Sequence, residues 1–541
     1  MNITRHTNRF TCAWASTLVL LACGGVEGAA DAPFDPSGLE IVTEDQPLYP
    51  LTTTLWRTTR IPVCWENPTS ANAQGRTWTR SAVERTWEAV TPIEFEGWGT
   101  CAAGTKGIRI RVEDTGPHVK ALGRSLDGYV NGMVLNFTFA NWSQSCASQK
   151  QYCIDSIAVH EFGHALGFAH EHNRPDTPSS CTDAPQGTNG DLTLGAWDLD
   201  SVMNYCNPAY NGDGNLSTGD INGAQYLYGH LASGVINAGA GFQEAIISQQ
   251  GDIGVVGGLI RPTSNSPSFW TPGKLVAMLP YDNRPAKRHI FHLNQHNQDA
   301  RVDVTANGEV LFLNGSSSYA WISLAGIKFP TQIDGTLAHG PGVSNYGSGY
   351  ENASYTREGS TVLVSGLVKK SGGFGPGDVI ATLPVGQRPA KQLIFNQNQH
   401  TAHARIDIHP NGNIVYVTGT SPYSWISLSG MSFSVGGASP VSLASGISNY
   451  GGAYESAMSR REGDTVVVNG LIRSTSGAMN GRVLATLPVG HRPPKTLIFT
   501  LNTHATTARI DVHPNGNIYF NTGSAPYNWV SLSGLTFRVP R

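Results

Sequence analysis

The run His160-Glu161-Phe162-Gly163-His164-Ala165-Leu166-Gly167-Phe168-Ala169-His170 decides how the first half of the chain is read. Residues four apart on a helix share a face, so His160 and His164 can reach one metal ion together. Glu161, beside the first histidine, stands where it can take a proton from a water at that ion. Gly167 lets the chain leave the helix through a left-handed conformation that a Cβ resists, and the turn brings His170 round as a third ligand. Three imidazole nitrogens leave a fourth position open, which is the pattern of a catalytic zinc site rather than a closed structural one. The competing reading is a helix whose histidines merely cap or satisfy polar groups in a core. It requires three histidines, a glutamate and a glycine to fall in register by chance.

The continuation from Gly167 through His170-Glu171-His172-Asn173-Arg174-Pro175-Asp176 resembles the GFxHEHxRxD run of the astacin family of metzincin metalloproteases. Further on, Trp197-Asp198-Leu199-Asp200-Ser201-Val202-Met203-Asn204-Tyr205 resembles that family's Met-turn. The resemblance covers residues 55 to 230. It implies an α+β metzincin-type catalytic domain, a five-stranded mixed sheet plus an active-site helix, acting on a protein or peptide substrate. It also implies that His160, His164 and His170 hold Zn2+, that Glu161 is the general base, that Met203 underlies the site and that Tyr205 is a switchable ligand. Glu171 resembles the family glutamate that meets the new N-terminus after processing. Serralysins share SxMxY, but they follow the third histidine with proline and carry glycine-aspartate calcium repeats, and neither is present. The interval from His170 to Met203 is shorter than in animal members, so a divergent bacterial branch fits better.

A length of 541 residues suggests three to four domains. With 14% charged residues and a net charge of −3, no basic surface argues for nucleic acid or an anionic membrane. Residues 1–23 read as an export signal, with Arg5 and Arg9 ahead of the apolar run Thr17–Ala22. Leu20-Leu21-Ala22-Cys23 resembles a bacterial lipobox, which would lipidate Cys23 and anchor the protein at the outer surface; simple cleavage and secretion is the alternative. Either way the chain leaves the cytoplasm. After Cys23 no apolar run approaches the ~20 residues needed to span a bilayer. Residues 24–50 read as a tether or short pro-segment, although Phe34-Asp35-Pro36-Ser37-Gly38 departs from the family's FxGD motif.

Beyond the signal, Cys64, Cys101, Cys146, Cys153, Cys181 and Cys206 all fall in the catalytic segment 51–231, an even set suited to an oxidising compartment. Proximity favours Cys146–Cys153, Cys181–Cys206 would brace the Met-turn, and Cys64–Cys101 is left. A thiolate metal site would need paired CxxC spacing. In the same segment Ile61–Trp65, Ile93–Phe95, Gly107–Val112 and Met133–Phe139 read as strands, and Thr77–Val90 as an amphipathic helix carrying Trp78, Ala82, Trp87 and Val90. Val134 to Thr138 is a candidate edge rail that would bind extended peptide by β-addition. Asp155 or Ser156 is a candidate cap of the active-site helix. Asn211-Gly212-Asp213-Gly214-Asn215 is either a calcium loop or, lacking a full ligand set, a plain turn.

From residue 234 the chain repeats. Gly342-Val343-Ser344-Asn345-Tyr346-Gly347 returns at Gly446-Ile447-Ser448-Asn449-Tyr450-Gly451, a shift of 104 residues. Arg284-Pro285, Arg388-Pro389 and Arg492-Pro493 keep that spacing, as do Trp321, Trp425 and Trp529 within W-[IV]-S-L-x-G. Each copy is long enough to bury its own core, so residues 234–333, 342–437 and 446–541 read as three tandem all-β modules, sandwiches or barrels. Ala404–Ile408, the turn Asn411-Gly412 and Ile414–Val417 form a hairpin signature. The LPxGxRP and W-[IV]-S-L-x-G runs resemble β-modules of phage tail fibres and bacterial surface proteins. The pairs Tyr423/Trp425 and Tyr527/Trp529 either stack on sugars or, as strand-end tryptophans more often do, pack in a core. His403, His409, His504 and His513 share no ligand spacing, so no metal is expected in the repeats.

Two functions compete. One is an exported zinc endopeptidase whose modules hold a cell-surface or polysaccharide ligand. The other is a surface adhesin whose protease-like head is not catalytic. The intact Glu161 favours the first, because a decayed head would be free to lose its base.

Overall fold

A computed structural model describes residues 47–264, 269–317, 320–419 and 423–539. The export signal, Cys23 and the Phe34–Gly38 stretch lie outside them. No helix among the described residues is long and apolar enough to cross a membrane.

The head is built on five strands: β1 (Arg60–Trp65), β2 (Glu94–Thr100), β3 (Ile108–Val112), β4 (His118–Val119) and β5 (Met133–Leu135). They lie in the order β2-β1-β3-β5-β4, with β4 antiparallel to its neighbour and the rest parallel. Ile61, Val63, Ile108, Ile110, Met133 and Leu135 are buried in one core with Phe162 and Trp87. The expected helix over Thr77–Val90 is instead α1 (Ala73–Arg85) and α2 (Trp87–Val90), parted at Thr86. Thr86 turns its hydroxyl back to the Ala82 carbonyl (2.7 Å), and the break aims the Trp87 indole N–H at the Val159 carbonyl (2.8 Å).

Two further expectations are corrected. β5 is not an edge: β3 flanks it on one side and β4 on the other, with Val134 opposite both Arg111 and His118. The strand also stops at Leu135, because the Asn136 side-chain oxygen accepts from the Thr138 and Phe139 amides and bends the chain away. Residues 134–138 therefore form no open rail, and the outer strand on that side is β4. The second correction concerns the cap. Ser143 caps α3 (Gln144–Ser148), α4 runs Lys150–Ala165, and Asp155 and Ser156 sit inside α4. Asp155 faces Arg85 at 3.5 Å instead.

The disulfides are Cys64–Cys101, Cys146–Cys153 and Cys181–Cys206. The first ties β1 to the end of β2, the second staples α3 to α4, and the third fastens the loop after His170 to the residue beside Tyr205.

Beyond the head, the second and third copies each hold a five-stranded sheet and two smaller ones; the first does too, its five-stranded sheet completed by His230–Leu231. The copies do not hang as beads; they close into a ring. The Arg301 guanidinium lies over Trp425 at 5.4 Å, Arg405 over Trp529 at 5.3 Å, and Arg509 over Trp321 at 5.1 Å. The hydroxyls of Ser427, Ser531 and Ser323 donate to the carbonyls of Ile290, Ile394 and Ile498 in the same cyclic order. The first copy thus touches the second, the second the third, and the third the first, a head-to-tail interface that closes on itself. Trp425 and Trp529 are buried in these interfaces, which favours the core reading over sugar stacking, while Tyr527 stays exposed. The head joins the ring without slack. Strand His230–Leu231 pairs onto Ala277 and Met278 of the first copy. Arg284 stacks on Tyr226 of α5 (Thr218–Tyr228) at 4.1 Å and donates to its carbonyl at 2.7 Å.

Candidate metal centre

α4 presents His160 and His164 on one face, and its C-terminal half is held by side chains from three other elements. Trp56 donates to the Ala165 carbonyl at 2.7 Å, Tyr228 to that of Leu166, and Trp87 to that of Val159. The Ala165 and Leu166 carbonyls lie at the helix end, where neither is paired within the helix, whereas the Val159 carbonyl lies inside it and Trp87 braces the helix there. Gly167 follows at φ +98°, and a Cβ there would also press on Leu55. The turn carries His170 back to the helix as expected, and donor atoms of His160, His164 and His170 lie within 4.8 Å of one another.

Hydrogen bonding fixes the tautomer of each imidazole. His160 Nδ1 faces the Val202 carbonyl at 2.7 Å, His164 Nδ1 that of Phe168 at 2.6 Å, and His170 Nδ1 that of Gln186 at 2.9 Å. A carbonyl can only accept, so all three Nδ1 atoms carry the proton and all three Nε2 atoms keep a lone pair. Burial pushes His160 down to about 3 and His170 to about 4, and it holds His164 well below the usual range, so the rings are neutral. His160 Nε2 is buried with no hydrogen-bond partner, and His164 Nε2 faces His170 Nε2 at 3.1 Å.

Glu161 is 5% exposed, and burial pushes its carboxyl up to about 8; a cation beside it would draw that value back down. Tyr205 lays its ring against His160 at 5.5 Å and His170 at 4.5 Å, remaining 39% exposed on its outer side. Burial, with the charge of Glu161 adding, pushes its phenol up to about 12. Met203 is fully buried, and its thioether lies so close to α4 that a Cβ on Gly163 would stand 2.4 Å from Sδ.

Three contributors escaped the sequence reading. Gly163 is required by the approach of Met203; the methionine and the glycine were both visible, but not that they meet. His172 accepts the Tyr205 backbone N–H on Nδ1 (3.3 Å) and stacks on the phenol at 4.8 Å, fixing its position. Asp220 is fully buried and accepts from Ser201 Oγ (2.7 Å) and from the Val202 amide (2.9 Å), locking the turn whose carbonyl orients His160. Its signal was the capping box that Ser217 and Asp220 form at the start of α5. Glu171 is buried against Arg174 at 3.0 Å, and its amide donates to the Met203 carbonyl. Arg174 continues to Asp176 and to the carbonyls of Leu194 and Gly195, so the stretch after His170 is a fastening.

Asn211–Asp213 form a left-handed turn whose Asp213 carboxylate accepts the Tyr152 hydroxyl at 2.5 Å, as in the plain-turn reading.

No protein-family model and no curated protein matches the chain. Among solved structures, myroilysin is similar over 33% of this chain and 97% of its own, at 21% identity and a TM-score of 0.25. A hatching enzyme zinc-protease from the medaka fish Oryzias latipes is similar over 32% of this chain and 94% of its own, at 20% identity and a TM-score of 0.23. The receptor binding protein of Listeria phage PSA is similar over 18% of this chain and 62% of its own, at 25% identity and a TM-score of 0.16.

Proposed function

We propose that the chain is an exported, astacin-like zinc endopeptidase whose β-ring attaches it to a surface or polymer. One observation carries the catalytic half of the reading. The His164 and His170 Nδ1 protons are committed to carbonyls, so two bare Nε2 atoms point at each other at 3.1 Å. Facing lone pairs repel, and a cation between them turns that repulsion into coordination. Three neutral imidazoles without thiolate, with a fourth position free, suit Zn2+ in a catalytic rather than a structural role. Bound there, zinc supplies a Lewis acid that polarises a peptide carbonyl and makes water more acidic.

The chain's own residues carry the proton traffic. Glu161, held in a water-poor pocket, takes the proton of the attacking water and passes it to the leaving amine. Tyr205 keeps its phenol proton at neutral pH and donates it as a hydrogen bond to the developing oxyanion. His172 positions that phenol from behind. The three disulfides support an oxidising compartment for the head.

The test is Glu161→Gln, which preserves shape and removes the base. Wild-type protein should cleave a denatured protein, stop on chelation and recover with Zn2+. The variant should keep its zinc and lose about 10²–10⁴ in turnover. Full activity in the variant would rule out the assigned base.

A further inference from the structure

The closed ring brings together side chains that no spacing along the chain connects. The hairpins His289–Val304, Leu393–Ile408 and Leu497–Val512 each meet the other two at the centre of the ring. Equivalent positions there carry His292, Asn396 and Thr500 in one layer, and Asp299, His403 and Thr507 in the next. His292 Nε2 stands 3.0 Å from Asp299 Oδ2, and His403 Nδ1 stands 3.8 Å from the same oxygen. All three donor atoms fall within 4.8 Å of one another.

The surroundings orient them as outer contacts orient metal ligands. The hydroxyls of Thr507 and Thr500, both from the third copy, donate to Asp299 Oδ2 (3.0 Å) and Oδ1 (3.3 Å). His403 Nε2 faces the Ala505 carbonyl at 3.2 Å and must donate to it, which leaves a lone pair on Nδ1 aimed at the carboxylate. A lone pair against a carboxylate is unfavourable until a cation lies between. His292 Nε2, although 3.0 Å from the oxygen, is out of line for an N–H···O bond and is left without a hydrogen-bond partner. Two donors bound to one shared atom produce that off-axis approach. Asn398 Nδ2 lies 3.4 Å from His292 Nδ1, and its own Oδ1 is buried without a hydrogen-bond partner. A turn of this amide, which would give up its bond to the His400 carbonyl, offers an acceptor to the Nδ1 proton of a coordinated ring. The side chains of His292, Asp299 and His403 are 5%, 22% and 19% exposed, so an ion has a way in.

We infer that His292, Asp299 and His403 form a second metal site, remote from the head, which binds a divalent ion of the Zn2+ class and ties the first and second copies of the ring together. Two imidazole nitrogens and one carboxylate select a borderline transition ion over Ca2+ or Mg2+, which prefer all-oxygen shells. The site exists once, because neither of the other two junctions repeats the His, Asp and His set.

Full-length protein, stripped with chelator and dialysed against buffered free Zn2+, is analysed for bound metal and for thermal unfolding. Wild type should hold two zinc ions per chain. His403→Thr, which installs the residue found at this place in the third copy, and Asp299→Asn should each hold one. Both should keep wild-type peptidase activity and, in chelator, wild-type melting. Zinc should raise the melting temperature of the ring in wild type and not in these variants. His164→Ala, which disables the head triad, should retain one ion, so the two centres are counted separately. A wild type with one ion that disappears in His164→Ala and survives in His403→Thr overturns the second site. So does an equal zinc-induced stabilisation of His403→Thr and wild type. One ion that survives in His164→Ala and vanishes in His403→Thr supports the ring site and instead removes the head assignment.

Discussion

The head and the ring solve the problem of holding a fold together in opposite ways. In the head each important contact occurs once. A single helix is held by Trp56, Tyr228 and Trp87, one buried aspartate, Asp220, locks the turn at Val202, and one buried ion pair, Glu171 with Arg174, anchors the third histidine's loop. That core also buries Glu161 and three neutral histidines, groups that cost stability unless something in the site pairs with them. All six cysteines outside the signal are placed in this half. The ring has no cysteine, and although it buries Lys328 and His289, its junctions are built from ion pairs that recur. Its arginines at 301, 405 and 509 each pair with the aspartate two residues on, and each covers a neighbour's tryptophan. The head relies on contacts that each occur once, together with three disulfides, whereas the ring distributes the same small interaction over three junctions.

Three measurements press on that contrast. Replacing Cys64 and Cys101 together by alanine opens a cross-link that spans 37 residues. It should cost the head about 4 kcal/mol. Differential scanning calorimetry should show the head transition falling while the ring transition stays put; equal loss in both would mean that the two unfold as one unit. Tyr205→Phe should lower kcat about a hundredfold, or about 3 kcal/mol in the transition state, with KM, zinc content and melting near wild type. An unchanged kcat with zinc bound would make Tyr205 a packing residue over the histidines. The smallest effect is the most specific to the ring. Ser323→Ala, Ser427→Ala and Ser531→Ala each take a partner from one buried carbonyl and from the backbone amide two residues on, and should each cost about 1–2 kcal/mol. Measured in chelator, the three values should agree, because the serine contacts at the three junctions are equivalent, and a large spread in denaturant midpoints would show that closure is not symmetric.

Much of the head was legible because its signals are short. A histidine pair at i and i+4 and a glycine at the exit turn are local, and the backbone geometry they require is set within a few residues. The disulfide partners were legible in part locally: Cys146 and Cys153 lie seven residues apart, Cys181–Cys206 was expected as a brace of the stretch that resembles a Met-turn, and Cys64 and Cys101 remained. Strand ends were not, since Asn136 ends β5 through a side-chain bond that competes with the sheet, and periodicity does not register it. Nor was the covered state of β5, which depends on where the two-residue strand β4 lands.

By itself the sequence determined that three histidines and a glutamate would gather on one helix and its exit turn, and that a 104-residue unit would recur. Tertiary structure alone decided that the three units close on one another, and that Asp220, His172 and Gly163 serve the same centre. It also decided that His292, Asp299 and His403 face each other at the heart of the ring. The physical reason is range. Backbone preferences and hydrophobic periods act over a turn or a strand, while closure is written in arginine–tryptophan and serine–carbonyl contacts between residues more than a hundred positions apart, whose meeting depends on every core between them.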